Sequence, residues 1–138
     1  MSPTKTETLP LWTNEDVLRV RQAVRAWMVE QAFSVVEQTK MVTATSELAR
    51  NTVVHGGGGS ARLELLADSG RPAIRVTCED RGPGLADIEQ SMKDGFSTGD
   101  GLGLGLGGAR RLVNEFVIWS EFGKGTRVTI TMWKRLHP

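Results

Sequence analysis

Asp94-Gly95-Phe96-Ser97-Thr98-Gly99-Asp100-Gly101-Leu102-Gly103-Leu104-Gly105-Leu106-Gly107-Gly108-Ala109-Arg110-Arg111 places six glycines between Gly99 and Gly108, then continues into a helix-like run from Ala109 to Phe116. Glycine loses more backbone freedom on ordering than any other residue. A cluster this dense belongs where the chain must flex or bring its amides close to another group. Bare amides leading into a helix N-terminus offer unpaired N–H groups and the positive end of a dipole, which suits a phosphate. A nucleotide site needs more than this loop, and the remaining segments have to supply it.

The 138 residues make one domain, 1–138, able to bury about two-thirds of its unfolded surface. With 17 Lys+Arg against 16 Asp+Glu, the formal charge is +1. Such a balance lacks the basic excess of a general nucleic-acid or membrane-surface binder, so neither is expected as a partner. Cys78 is the single cysteine. It forms no internal disulfide and reads as a buried, inert thiol in an alternating strand. The N-terminal residues lack the apolar core of a signal peptide, and no run is long enough to span a bilayer. The expected compartment is the cytoplasm.

A short strand candidate covers Thr6 to Leu11. Thr13 with Asp16 then resembles a capping box, and Val17, Val20, Val24, Trp27, Met28 and Gln31 recur at helical spacing opposite Arg19, Gln22 and Arg25. Ser34 with Glu37 opens a second helix, expected to run to about Val54 before Gly56 to Gly59 end it. On this helix Met41, Thr45, Leu48, Ala49 and Thr52 form one stripe. Glu47 and Asn51 stack four apart along its margin, with Arg50 roughly opposite the stripe. Alone, such a pair is as readily an exposed Glu and Asn without a task.

Two alternating strands follow, Arg62 to Leu65 and Ile74 to Glu79, joined by a turn from Asp68 to Pro72. The parity of Ile74, Val76 and Cys78 aims Asp80 at the core. A buried carboxylate costs several kcal/mol unless a donor meets it. Either an amide of the turn Arg81-Gly82-Pro83-Gly84 or an amino group of a ligand meets that need. Ala86 to Met92 reads as a helical turn or two, and the glycine run leads into a helix from about Leu104 to Glu115. The chain closes with a strand from Phe116 to Ser120, a turn at Gly123-Lys124-Gly125, and a strand from Thr126 to Lys134 whose parity turns Thr126 inward.

Two phosphate-loop patterns fail. No G-x-x-x-x-G-K-[ST] string occurs, and Gly103-x-Gly105-x-x-Gly108 follows a polar loop, where a dinucleotide fold requires a strand. A third pattern spans the chain. Glu47-Leu48-Ala49-Arg50-Asn51, Asp80-Arg81-Gly82-Pro83-Gly84, Gly101 to Gly107, and Gly123-Lys124-Gly125-Thr126 resemble, in order, the four nucleotide-binding boxes of the GHKL ATPase superfamily. Within it, Ser46 to Asn51 and the run Asp94 to Thr98 resemble the RsbT switch-kinase branch of the anti-sigma-factor serine/threonine kinases, relatives of RsbW and SpoIIAB. The resemblance covers about Leu11 to Leu136.

It implies an α/β (α+β) two-layer sandwich, with a mixed, mostly antiparallel sheet covered on one face by helices. It implies ATP and Mg²⁺ as cofactors, Asn51 as the Mg²⁺ ligand, and Glu47 as the general base that deprotonates a protein hydroxyl. Asp80 would accept from the adenine amino group, Gly82 and Gly84 would let the backbone pass close to the base, and Thr126 would assist at the adenine edge. The lid amides of Gly101, Gly103, Gly105 and Gly107 would wrap the phosphates. The implied function is transfer of the ATP γ-phosphate to a STAS-domain antagonist in partner switching. The released kinase then activates a phosphatase, or captures a sigma factor. The alternative is an ATP-gated binding module without phosphotransfer, and a homodimer stays open. Arg110 and Arg111 are either solvated or contacts for a phosphate or acidic partner. Ser97 and Thr98 are either lid contacts or autophosphorylation sites, and His55 is a neighbour of the helix end. The segment from Asp94 to Gly105 is expected to order only with nucleotide.

Overall fold

In the computed structural model the first two helices start where side chains replace missing backbone acceptors. The structure describes residues 2–85, 92 and 105–136. Strand β1 (Lys5–Leu11) leads into helix α1 (Asn14–Glu30), where the Thr13 hydroxyl accepts from Asp16 N and the Asp16 carboxylate accepts from Thr13 N. Asp16 also accepts from Trp12 N and Arg19; the Trp12 amide is the foremost reason its carboxyl lies below its ordinary value. Helix α2 (Val35–Val54) repeats the device with Ser34 and Glu37. Glu37 Oε2 also accepts from Arg135 N at 2.7 Å, clamping the C-terminal segment to the start of α2.

Strands β2 (Gly59–Asp68) and β3 (Arg71–Asp80) form the expected hairpin, turning through Ser69 and Gly70 at positive φ. After them come α3 (Leu106–Leu112), β4 (Glu115–Glu121) and β5 (Gly125–Trp133). The sheet order is β1-β2-β3-β5-β4, and all four described pairings are antiparallel. The expected sandwich is present, but nothing parallel occurs among the described strands, so "mostly antiparallel" becomes wholly so there. Strands β2 and β3, and β4 and β5, are hairpin neighbours, whereas β1 reaches its neighbour β2 only through α1 and α2, and β4 lies at the far edge beyond β5.

Helices α1 and α2 lie on one sheet face. Val20, Val24 and Met28 from α1, Met41 and Leu48 from α2, and Leu63, Ile74, Val76 and Ile130 from the sheet are buried together. Removal of that apolar surface from water supplies the main driving force. The opposite face carries polar cross-strand pairs. Arg75 bonds both oxygens of Glu64 at 3.0 Å, and the Thr77 and Thr129 hydroxyls meet at 3.2 Å. This is the two-sided character of an antiparallel sheet with helices on one side.

The helix expected from Leu104 to Glu115 stops at Leu112. Val113 is extended, Asn114 N donates to Thr131 O, and the Asn114 side chain accepts from Trp133 N at 2.7 Å. These bonds seat Glu115 and Phe116 in β4, whose Phe-Val-Ile-Trp run favours a pleated strand.

Candidate functional site

The candidate site forms where α2 ends, β3 ends, β5 begins and α3 begins. Leu48, Asn51, Thr52, His55 and Gly56 from α2 and its exit form one wall, with Cys78 and Asp80 from β3 opposite. Thr126 and Val128 of β5, Gly84, Leu85 and Leu106 complete the lining of a cavity of about 40 Å³. That enclosed part holds about one water-sized body. Leu85 and Leu106 flank the residues outside the described set.

Asp80 lies on the core side as its parity requires, and is 9% exposed. Its Oδ1 accepts from Gly82 N at 2.9 Å, so the turn bond exists. Burial raises the Asp80 carboxyl above its ordinary value, against the downward pull of the Gly82 and Thr126 amides. A carboxylate offers about four lone-pair positions, so the amides leave it able to accept from a further donor. Gly56 stands directly against it: a Cβ there would lie 2.2 Å from Asp80 Cγ and 2.4 Å from Oδ2. Only a bare Cα lets the exit of α2 approach the carboxylate so closely. Gly82 in turn abuts the Gly56 backbone, and Gly84 sits at φ +76° against Glu121 O.

Thr126 pairs in register with both Asp80 and Ser120. Its hydroxyl meets Ser120 Oγ at 2.9 Å, and Ser120 Oγ also accepts from Leu85 N at 2.8 Å. Cys78 is buried, which pushes its thiol up to about 12 despite the Thr52 hydroxyl, so it serves as an inert wall.

Glu47 and Asn51 lie one turn apart on the α2 margin, partly exposed, with Asn51 lining the cavity. Arg50, placed by helical spacing away from the stripe, reaches Glu47 Oε1 at 3.6 Å. Gly105, left-handed at φ +67°, caps α3 so close to Glu47 that a Cβ would lie 2.3 Å from Oε2. The first intrahelical bond of α3 runs from Ala109 N to Gly105 O. The amides of Leu106, Gly107 and Gly108 precede it and lack a helical acceptor. Gly107, named among the lid amides, is a buried residue of the helix's first turn, inside the span from Leu104 expected to be helical. Gly101, Gly103, Ser97, Thr98, the turns sought from Ala86 to Met92 (Met92 apart), and the segment expected to order with nucleotide lie outside the described residues.

Sequence reasoning named Glu47, Asn51, Asp80, Gly82, Gly84, Gly105 and Thr126; of these Asn51, Asp80, Gly84 and Thr126 line the cavity, Gly82 abuts its Gly56 wall, and Gly105 stands against Glu47. It missed two supports. The parity of Phe116 and Ile118 carries Ser120 inward, which was a usable signal. Gly56 read only as a helix terminator, and no local pattern shows that it faces a carboxylate across the fold.

Residues 36–136 match the family described as histidine kinase-, DNA gyrase B-, and HSP90-like ATPase. The chain belongs to this ATPase family. Among its relatives is the serine/threonine-protein kinase RsbT of Bacillus subtilis (strain 168), 42% identical over 91% of this chain and 94% of that protein. An anti-sigma F factor of Geobacillus sp. (strain WCH70) is 30% identical over 83% of this chain and 81% of the relative. The crystal structure of the RsbU and RsbW domains of a Mycobacterium tuberculosis protein superposes at TM-score 0.64 with 25% identity. This chain is covered to 98%, but spans only 34% of that longer chain. The catalytic domain of the histidine kinase ThkA shares the fold, at TM-score 0.53 and 16% identity. Within the ATPase family the chain therefore falls in the branch of RsbT-type serine/threonine kinases and anti-sigma factors.

Proposed function

We propose that the protein transfers the γ-phosphate of ATP to a serine or threonine hydroxyl of a STAS-domain antagonist, with partner exchange as the output. The observation that carries this reading is the line of groups along α2, with Glu47 under the start of α3 and the Gly56 exit against the Asp80 carboxylate. At 1.5 Å per residue those ends stand roughly 13 Å apart, the scale of an extended nucleoside triphosphate.

In this arrangement Asp80 accepts from the adenine amino group, and the glycine approaches at Gly56 and Gly82 keep side chains out of the base's path. Thr126, held by Ser120, lies beside Asp80 at the same edge. Gly105 and the amides of Leu106, Gly107 and Gly108 face phosphate oxygens, with Gly101 and Gly103 on the preceding lid. Asn51 offers a hard oxygen ligand for Mg²⁺. The oxygens of the triphosphate would supply the remaining ligands of the ion. Bound there, Mg²⁺ would neutralise charge developing on the phosphates.

Glu47 takes the proton of the substrate hydroxyl as its oxygen bonds to the γ-phosphorus. The bond from that phosphorus to the β,γ-bridging oxygen breaks, and ADP leaves. A module that only binds ATP has no use for a carboxylate at Glu47, which favours transfer over the ATP-gated alternative.

The test is Glu47→Gln with labelled ATP and STAS-domain proteins from the same genome. The variant is expected to keep ATP affinity within about twofold and lose about 100-fold or more in transfer, the scale of a missing general base. Transfer at the wild-type rate would remove Glu47 from the base role. Adding candidate phosphatases and sigma factors to the same mixtures identifies which of them the released kinase engages.

A further inference from the structure

At the far end of α2 from the nucleotide site lies a second cavity, about 660 Å³, bounded by the first turns of α2, the end of α3 and the C-terminal end of β5. Its volume is in the range of pockets that enclose a ligand or several side chains. Lys40, Arg71, Arg111 and Arg135 line it against one carboxylate, Glu37. Both Glu37 oxygens already accept backbone amides, from Ser34 and from Arg135. Arg71 is held in place by Nε donation to Lys134 O at 2.8 Å and lies over the Trp133 ring at 5.4 Å, leaving its terminal nitrogens to point elsewhere. Lys40 and Arg135 are exposed and make no ion pair among the described residues.

The cavity is not merely basic. Leu112, Val113 and Met132 contribute apolar lining, and Val36 and Leu136 at its margin are 62% and 68% exposed. Apolar side chains left in water inside a cationic rim mark an interaction surface. Nucleic acid would use the cations but not the aliphatic floor, and Trp133, with Arg71 over its ring and its indole N–H given to Glu115, is poorly placed to stack on a base.

We propose that this cavity docks an acidic amphipathic segment of a partner protein, its carboxylates on Lys40, Arg71 and Arg135 and its apolar side chains on Leu112, Val113 and Met132. The surface lies apart from the residues of the phosphotransfer reading and does not depend on it. It gives the protein a way to hold a partner that leaves the nucleotide pocket unobstructed.

The experiment titrates the ¹⁵N-labelled full chain with a short synthetic peptide of repeated Glu-Glu-Leu. Peptides of Glu-Glu-Ser and Lys-Lys-Leu, an oligouridine RNA and phosphatidylglycerol vesicles serve as comparisons, with fluorescence anisotropy giving affinities. Glu-Glu-Leu should bind roughly tenfold or more tightly than either other peptide, with shifts concentrated at Lys40, Leu112, Asn114 and the Trp133 indole. K40E/R135E should weaken binding roughly tenfold or more while ATP affinity and melting temperature hold, and K40Q/R135Q should weaken it less. Equal binding of Glu-Glu-Ser, preferential capture of RNA or vesicles, shifts mapped elsewhere, or unchanged binding by both variants would each overturn the proposal.

Discussion

Replacing Gly56 with alanine separates packing at the base pocket from general damage to the helix exit. The new Cβ would lie 2.2 Å from Asp80 Cγ, so the contact must widen by about 1.2 Å to reach the 3.4 Å of ordinary contact. β3 cannot easily retreat, because Asp80 is paired to Gly59 on one side and Thr126 on the other. Gly82 also abuts the Gly56 backbone, where a Cβ on Gly82 would lie 2.7 Å from Gly56 Cα, so the helix exit has little room to shift. The strain of an extra methyl in a filled space is about 1–3 kcal/mol. At about 3–4 °C per kcal/mol for a domain of this size, the melting temperature falls by about 3–12 °C. Moving the carboxylate off its proposed adenine contact removes a hydrogen bond to a charged group worth about 1.5–3 kcal/mol, so ATP affinity is expected to drop about 10- to 100-fold. Gly57→Ala is the control. Gly57 sits at φ +74° with nothing within 4 Å of its Cβ position. Its alanine costs about 1–2 kcal/mol of left-handed strain without touching Asp80. Differential scanning fluorimetry and calorimetry should show both variants destabilised and only Gly56→Ala impaired in ATP binding. Wild-type affinity in Gly56→Ala, or equal losses in both, would refute the packing argument.

Asp80→Asn should lose ATP affinity by about tenfold or more in calorimetry, while raising the melting temperature of the nucleotide-free protein at neutral pH. Burial raises the Asp80 carboxyl; its stabilising contribution is present below the unfolded value, about 3.9, and is lost as pH rises through the folded value. Glu64 runs the other way, held below its ordinary value first by the Arg75 hydrogen bonds and against burial. Its contribution is complete above its unfolded value, about 4.3, and disappears as pH falls through the folded value. Glu64→Gln should therefore cost about 2 kcal/mol at pH 7 in urea melts, and the gap to wild type should close in acid. Ser120→Ala strips a partner from Leu85 N and the Thr126 hydroxyl, for an expected loss of about 1–3 kcal/mol and a several-fold rise in the ATP dissociation constant by titration.

What the sequence made legible was local or periodic. Thr13, Asp16, Ser34 and Glu37 announce the starts of α1 and α2, because a capping box is complete within four residues. Strand parity fixed the facing of Asp80 and Thr126, because the period of two leaves one choice once Ile74 and Val128 are placed. The end of α3 was misplaced by three residues, since Val113 to Glu115 satisfy helical spacing as well as a strand. The choice fell to Asn114, whose partners Thr131 and Trp133 belong to β5. The Gly56 approach and the Arg50–Glu47 pair depend on distances between elements or on rotamers, which no single-chain pattern carries. The basic cavity escaped for the same reason: Lys40, Arg71, Arg111 and Arg135 lie in four separate segments that only the sheet and the Glu37 clamp bring together.

The candidate site therefore depends on register more than on any one motif. Asp80 opposes Thr126 across β3 and β5, Thr126 opposes Ser120 across β5 and β4, and Gly59 opposes Asp80 on the other side. A slip of one residue between β3 and β5 would turn Asp80 and Cys78 to the outer face and bring Glu79 and Thr77 inward. Two features oppose that slip, neither in contact with the pocket. Val76 and Ile130 are wholly buried on the inner face, while on the outer face Thr77 bonds Thr129 and Arg75 grips Glu64. The outer polar ladder, which touches no proposed substrate, thereby helps keep Asp80, rather than Glu79, opposite Thr126 at the proposed base site.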